Sequence, residues 1–158
     1  MKIVKYEIKH CNAGWRDFSF LKIITDEGVS GISEYNECYG SPGLSIIIRR
    51  FMDKILDHDP ICHEKIHQFL YASSRQAPGG IAQQAIAAIE NALLDIKGKY
   101  LNVPVHTLLG GAIRDKLPLY WSHCGTYRIS EELSKIMEKP QVKTLEDLKQ
   151  LGKDVKDA

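Results

Sequence analysis

The stretch Ala88-Ile89-Glu90-Asn91-Ala92-Leu93-Leu94-Asp95-Ile96-Lys97-Gly98-Lys99 decides the fold of this chain. Apolar side chains at helical spacing run through it and through the residues before it, which predicts a helix over about residues 81–100. Its alanines combine high helix propensity with a small side chain, so a neighbouring element can approach closely. The predicted buried stripe consists of Ala85, Ile86, Ile89, Ala92, Leu93, Ile96 and Tyr100.

Three antiparallel strands are predicted before this helix. Apolar and charged residues alternate over residues 4–9, as in a half-buried strand. Residues 18–25 and 29–34 are rich in β-branched or apolar residues, and Gly28 permits a tight turn between them. A long polar connection beginning at Cys11 separates the first two strands. The predicted buried face of the first strand is Val4, Tyr6 and Ile8.

Two further helices are predicted between the strands and the 81–100 helix. The first has one apolar face, and the second begins near Pro60 and runs to about Ser73. After the long helix, residues 117–124 are predicted to form a strand, and a last helix begins behind Thr144 as its N-cap. The apolar face of the first helix is Leu44, Ile48, Phe51 and Ile55, and that of the last is Leu145, Leu148, Leu151 and Val155.

These elements predict an α+β fold: a three-stranded antiparallel meander followed by a three-helix bundle. Residues 1–111 are expected to form one domain. Residues 112–158 are expected to be a single strand–helix unit, which is unfinished because a parallel strand needs a neighbour to pair with.

Composition excludes several classes of function. The 158 residues carry a net charge of +1, so a basic footprint for nucleic acid is absent. No apolar run approaches the ~18 residues of a membrane span, and the first residues do not resemble a signal peptide. The four cysteines form no Cys-x-x-Cys pair, which predicts reduced thiols in a cytoplasmic protein.

One short pattern is typical of zinc hydrolases. His63-Glu64-Lys65-Ile66-His67 reads His-Glu-x-x-His, in which two histidines one helical turn apart bind zinc and the glutamate acts as the base. The residues that follow offer no third ligand. The alternative is that the two histidines and the glutamate lie on a solvated helix face.

Four motifs resemble one enzyme family. Residues 88–99 resemble the Ala-x-Asp-x-Ala-Leu-Trp-Asp-x-x-Gly-Lys signature of the mandelate racemase and muconate lactonizing branch of the enolase superfamily. Residues 102–114, with Asn-Val-Pro-Val and Leu-Leu-Gly-Gly, resemble the segment that follows it. Residues 25–34 resemble the family's hairpin, and His58-Asp59-Pro60 its Gly-x-Asp-Pro corner. The departures are Glu90 for Asp, Leu94 for Trp and Ser33 for Gly.

The resemblance implies that the two domains of such an enzyme have different roles. In this family the N-terminal α+β domain is a lid over a (β/α)₈-type barrel, whose strand ends hold a base and Mg²⁺ for removing the proton next to a substrate carboxylate. A whole barrel needs about 250 residues, so residues 112–158 are expected to be only its first strand and helix. This chain is therefore expected to contain no catalytic residue, to bind no Mg²⁺ and to be inactive by itself.

The resemblance also implies which residues contact substrate. Two lid loops, residues 11–19 and 35–43, close over the substrate in such enzymes. Arg16 is interpreted either as the partner of a substrate carboxylate or as a solvated loop charge. The candidate substrate-binding residues are Trp15, Arg16, Glu37, Tyr39 and, at the end of the first barrel strand, His123.

Polar loops favour a hydroxylated acid, so the predicted partner is a sugar acid and the predicted enzyme an acid-sugar dehydratase, a lyase. Racemisation and cycloisomerisation remain open. The alternative from another class is a stand-alone binding or interaction module that kept the lid fold. Apolar residues that lack barrel neighbours predict a homo-oligomer: Leu119, Trp121, Leu148, Leu151 and Val155.

Overall fold

The structure, a computed structural model, describes residues 1–75, 79–120 and 122–157. It divides into two compact units, Met1–Ile113 and Arg114–Ala158. The first unit contains a three-stranded antiparallel sheet in the order β1-β2-β3, with β1 at Ile3–Asn12, β2 at Asp17–Thr25 and β3 at Ser30–Tyr35. The predicted α+β meander is confirmed. The interpretation of the units as lid and barrel start stays a prediction.

The prediction of which side chains are buried at the start of β1 is wrong. A bulge interrupts the pairing with β2 between Ile3 and Lys5, and a bulge shifts the side-chain alternation by one residue. Ile3 is fully buried in consequence, whereas Val4 is 50% exposed. Beyond the bulge, Tyr6 and Ile8 pack against the core as expected.

The connection between β1 and β2 is shorter than predicted. Cys11 pairs with Phe18 and Asn12 with Asp17, so the strands continue to a four-residue turn, residues 13–16. The Ala13 N–H donates to the Arg16 carbonyl (2.9 Å) and closes the hairpin. The polar residues at these strand ends led to the prediction of a loop, but their backbone groups still pair between β1 and β2.

In the described part of the first unit, four helices follow the sheet. They are α1 at Leu44–Ile55, α2 at His63–Ala72, α3 at Gly80–Leu101 and the short α4 at Val105–Leu108. The predicted faces of α1 and α3 are buried, except that Tyr100 is exposed. The core lies between β2 and the helices and is built mainly from Leu21, Ile23, Ile48, Met52, Ile86, Ile89 and Leu93.

The quoted motif of α3 lies directly against β3. A Cβ on Gly31 would overlap the carbonyl oxygen of Ala92, so only glycine permits this approach. The Ile32 N–H donates to Asp95 (2.9 Å), and Lys99 donates both to Asp95 (2.6 Å) and to the Ser30 carbonyl (2.8 Å). The motif carboxylate therefore satisfies an N–H of the sheet edge.

The second unit contains a 3₁₀ helix at Ser122–Ile129, α5 at Glu131–Ile136 and α6 at Leu145–Asp157. The predicted last helix is confirmed. Its N-cap is confirmed as well, because the Thr144 hydroxyl accepts from the Asp147 N–H (3.2 Å). Backbone N–H groups of Lys143 and Thr144 donate to Asp147 and lower the pKa of its carboxyl.

The strand predicted at residues 117–124 is wrong. Residues 117–120 belong to no strand, and the 3₁₀ helix begins at Ser122; Trp121 lies outside the described residues. A strand requires a neighbour for its backbone hydrogen bonds, and the described part of this unit contains no other strand. Of the predicted α6 face, Leu151 is buried, whereas Leu145 and Leu148 are exposed.

Replacement of Gly31 by alanine is expected to reduce the free energy of unfolding by about 1–3 kcal/mol, because the new methyl group must push α3 away from β3. Urea denaturation followed by circular dichroism measures this. Ile32→Ala is the control, since the Ile32 side chain is half exposed. Equal stability of Gly31→Ala and the unsubstituted chain would show that α3 adjusts without cost.

The exposed apolar residues of segment 117–120 are expected to cause self-association, as Leu119 and Tyr120 are 93% and 89% exposed. Sedimentation velocity should show oligomers that grow with concentration and diminish in Leu119→Ser/Tyr120→Ser. Ile46→Ser is the control: it changes an exposed residue of α1, outside segment 117–120, and should leave association unchanged. A clean monomer at all concentrations would contradict the expectation.

Candidate functional site

The turn of the β1–β2 hairpin carries the first two candidate residues. Trp15 is 47% exposed and packs edge-to-face on Phe18, with ring centroids 6.0 Å apart. The Arg16 guanidinium lies over the Phe18 ring at 3.9 Å and donates to Glu34 of β3 (3.2 Å). The turn is thus attached to the sheet by stacking and by an ion pair.

Arg16 is not a solvated loop charge. Its side chain is only 19% exposed, and it pairs with a carboxylate of its own chain. Its Nε is buried, and no hydrogen-bond acceptor for it is found among the described residues. Since a buried donor without an acceptor costs free energy, this guanidinium retains an unused hydrogen bond.

Loop 36–43, between β3 and α1, carries the next candidate. Glu37 accepts from the backbone N–H groups of Gly43 (2.9 Å) and Ser45 (3.3 Å), and from the Ser45 hydroxyl. The first N–H groups of a helix have no partner within the helix, so Glu37 acts as a cap for α1. Its two carboxylate oxygens are both engaged in this way.

A buried phenol supports the same cap. Because Ser45 donates its hydroxyl to Glu37, the Tyr35 hydroxyl donates to Ser45 (2.7 Å). Burial raises the pKa of the Tyr35 phenol, and the nearby Glu37 charge raises it further. Tyr35 therefore remains a neutral donor at physiological pH.

Tyr39 brings the two loops together. Its side chain is 66% exposed, and its hydroxyl donates to the Trp15 carbonyl (3.3 Å). Its backbone N–H donates to the Asn36 side chain (3.1 Å). Trp15 and Tyr39 are therefore adjacent and accessible, whereas Glu37 faces the start of α1. The side chain of His123 lies outside the described residues.

A polar cleft of about 520 Å³ lies beside these loops. The His10 imidazole is 3.0 Å from the Ser19 hydroxyl at its edge, because the two residues pair across β1 and β2. Sequence reasoning missed this pair, although the strand register would have found it once β1 was extended past Cys11. The lining residues are His10, Asp17, Ser19, Glu37, Cys38, Pro42, Gly43 and Ser45.

The zinc pattern on α2 has no complete ligand set. His63 Nδ1 lies 3.5 Å from the Lys97 amine, and His67 Nδ1 lies 2.9 Å from the Glu90 carboxylate. Within residues 1–75, 79–120 and 122–157, no three His, Cys, Asp or Glu side chains are grouped to hold a metal ion. The described residues therefore fit neither a zinc site nor a magnesium site.

The N-terminal domain model of the mandelate racemase / muconate lactonizing enzyme family matches residues 8–110. The chain belongs to this family. The family resemblance of the four motifs is thereby confirmed. No helix in the described part of this family member is both long and apolar enough to cross a membrane.

Two D-galactonate dehydratases are among the similar proteins. The Pectobacterium atrosepticum enzyme is 37% identical over 142 residues, which is 90% of this chain and 36% of the relative. The Variovorax paradoxus enzyme is 38% identical over 120 residues, or 76% of this chain and 31% of the relative. The chain spans about a third of the length of the curated relatives it matches.

Solved structures give the same fold with different named activities. A candidate L-alanine-DL-glutamate epimerase from Burkholderia xenovorans is 40% identical, with a TM-score of 0.89 over 99% of this chain and 39% of the other. Another structure of that protein holds magnesium and fumarate. A candidate galactarate dehydratase from Agrobacterium radiobacter, with sodium and L-malate, is 30% identical, with a TM-score of 0.69 over 76% of this chain and 30% of the other.

Replacement of Glu37 by alanine is expected to lower the free energy of unfolding by about 1–2 kcal/mol, because the first turn of α1 loses its cap. Thermal and urea unfolding measure this. Glu64→Ala removes an exposed glutamate from the first turn of α2 and should cost about 0.5 kcal/mol or less. A stability unchanged in Glu37→Ala would mean that the carboxylate is free for another role.

Proposed function

We propose that this chain supplies the substrate-covering domain of an acid-sugar dehydratase, an enzyme that removes water from a polyhydroxylated carboxylic acid. The observation that carries the proposal is the polar cleft beside the two family loops. D-galactonate dehydratases among the relatives support the substrate class.

The lining of the cleft suits sugar hydroxyl groups. The Asp17 carboxylate can accept from a sugar hydroxyl, Glu37 adds negative charge while it caps α1, and the Ser19 hydroxyl and His10 imidazole can both donate and accept. A substrate carboxylate would be repelled by the two acids, since like charges at short range are unfavourable. The polyol end of the substrate therefore enters this cleft, and its carboxylate end points away from it.

Trp15 and Tyr39 form the cover. Both are exposed aromatic residues at the tips of their loops, and the hydrogen bond between them joins the loops. Aromatic rings pack on the C–H faces of a sugar and exclude water from the reacting carbon. Arg16 and Glu37 act as positioning residues, because each is committed to a partner within the chain. His123 remains a proposed substrate contact.

The role of these residues ends at binding and covering. Removal of the α-proton requires a base and stabilisation of the resulting negative charge, and the described residues do not fit a magnesium site. We assign both tasks to a barrel like that of the enolase superfamily. Elimination then expels the hydroxyl group as water from the carbon next to the α-carbon, and the enol that results tautomerises, with a proton added to that carbon, to a 2-keto-3-deoxy acid.

Epimerisation is the second candidate function. The likeness to the Burkholderia xenovorans protein covers almost the whole chain at 40% identity. An epimerase returns the proton to the opposite face of the α-carbon, so both reactions begin with the same step. Their products differ, because only dehydration forms a 2-keto acid.

With Mg²⁺ and D-galactonate, the 158-residue chain alone is expected to form no 2-keto acid. A chimera in which this chain replaces the matching third of the Pectobacterium atrosepticum enzyme should form it. In that chimera, Trp15→Ala and Tyr39→Ala should raise KM about tenfold, since each removes roughly 1.4 kcal/mol of binding free energy.

Tyr100→Ala is the matched control, because Tyr100 is an exposed tyrosine in the last turn of α3 that does not line the cleft. Turnover by the chain alone would overturn the assignment of the chemistry to a barrel. A folded chimera that exchanges the α-proton of sugar acids with solvent deuterium, but forms no 2-keto acid, would favour epimerisation.

A further inference from the structure

A second cleft, of about 450 Å³, lies along α1 in the first unit. We call it the basic cleft. It shares no lining residue with the polar cleft beside the loops. Its lining residues are Ile47, Arg50, Phe51, Lys54, Ser73, Ser74, Arg75, Ile81 and Ala82.

Of the described residues that line this cleft, none is acidic and three are cationic: Arg50, Lys54 and Arg75. Among the described residues, none of the three lies within 4.0 Å of a carboxylate. The nearest acid in sequence, Asp53, is instead bonded to Tyr6 of β1 (2.7 Å). The positive charge of the cleft is therefore not neutralised by the described part of the chain.

Two of the three cations lie on one wall of the cleft, which is formed by α1. Arg50 and Lys54 are four residues apart on α1, so they share a face and repel each other. The Lys54 ammonium donates to the Ser73 hydroxyl (3.2 Å) and lies 5.9 Å from the centre of the Phe51 ring. These contacts fix the Lys54 ammonium beside the cleft that Arg50 also lines, and an anion bound there would reduce the repulsion between the two cations.

The N-terminus of α3 adds to the positive electrostatic potential of the basic cleft. Ile81 and Ala82, in the first turn of this 22-residue helix, line the cleft. That turn contains no acidic residue, and Gly79 before it provides no side-chain cap. Within the first turn and at Gly79, no side chain compensates the positive end of the helix dipole, which strengthens the attraction of the three cations for an anion.

The apolar residues that line the cleft indicate which kind of chemical group the bound anion carries. Ile47, Phe51 and Ile81 are apolar, and the volume is within the usual range for small-molecule sites. Three cations match an oxyanion with two negative charges better than a carboxylate with one. An organic group next to a phosphate would lie against the apolar wall.

We propose that the basic cleft binds a small phosphate ester, with the phosphate held by Arg50, Lys54 and Arg75 and the organic group packed on Ile47, Phe51 and Ile81. Such a ligand is chemically unlike the uncharged polyol end assigned to the polar cleft. The two proposals are therefore tested separately.

Isothermal titration of the 158-residue chain with phenyl phosphate tests this proposal. We expect one saturable site with a Kd on the order of 0.1–1 mM. Inorganic phosphate should bind more weakly, because it leaves the apolar wall uncovered. Benzoate, which has the same ring and a single charge, should bind about tenfold more weakly than phenyl phosphate.

Arg50→Gln/Lys54→Gln should weaken phenyl phosphate binding about tenfold or more, whereas Arg49→Gln should change it less than about twofold. Arg49 is the matched control, because it lies on the same helix near Tyr6 and Asp53 and does not line the cleft. Circular dichroism melting confirms that the variants fold.

Three results would overturn the proposal. They are the absence of saturable phenyl phosphate binding, equal binding of benzoate, and equal weakening by Arg49→Gln, which would indicate attraction by overall charge. None of them bears on sugar-acid turnover by the chimera, so the proposed dehydratase function stands or fails on its own test.

Discussion

The close approach of β3 and α3 is the constraint on which the first unit depends. Gly31 lets the Ala92 carbonyl lie against the strand, and the Ser33 hydroxyl donates to the Ala88 carbonyl (2.6 Å). Asp95 and Lys99 then bind backbone groups at the open edge of β3. An unpaired strand edge invites association with other chains, so this arrangement both protects the edge and brings the sheet and helix close enough to bury the core.

The contact between β3 and α3 also determines where the loops of the candidate site lie. β3 leads directly into loop 36–43, and Glu34 on β3 holds the β1–β2 turn through Arg16. Glu37 joins the end of the same loop to the start of α1. Trp15 and Tyr39 are thus the exposed ends of segments that are anchored at their bases, an arrangement suited to covering a ligand without a large entropic cost.

The two clefts of the first unit differ in the charge of the residues that line them. The polar cleft presents two carboxylates and neutral hydrogen-bonding groups, whereas the basic cleft presents three cations beside an apolar wall. Electrostatic repulsion and attraction of this kind select ligands by class before any detailed contact is made. A nearly neutral net charge therefore conceals two local fields of opposite character.

The sequence alone determined the family, the α+β order of elements and the buried faces of α1 and α3, because these follow from local periodicity and from short motifs. It misplaced Val4, since a bulge depends on the partner strand, and it predicted a strand at residues 117–124, where no pairing strand is described. It also named Arg16 and Glu37 as candidate substrate-binding residues, with a solvated loop charge as the alternative for Arg16, but it did not identify their partners within the chain. Their partners, Glu34 and the start of α1, were decided by the tertiary structure, because hydrogen bonds and ion pairs join residues that only folding brings together.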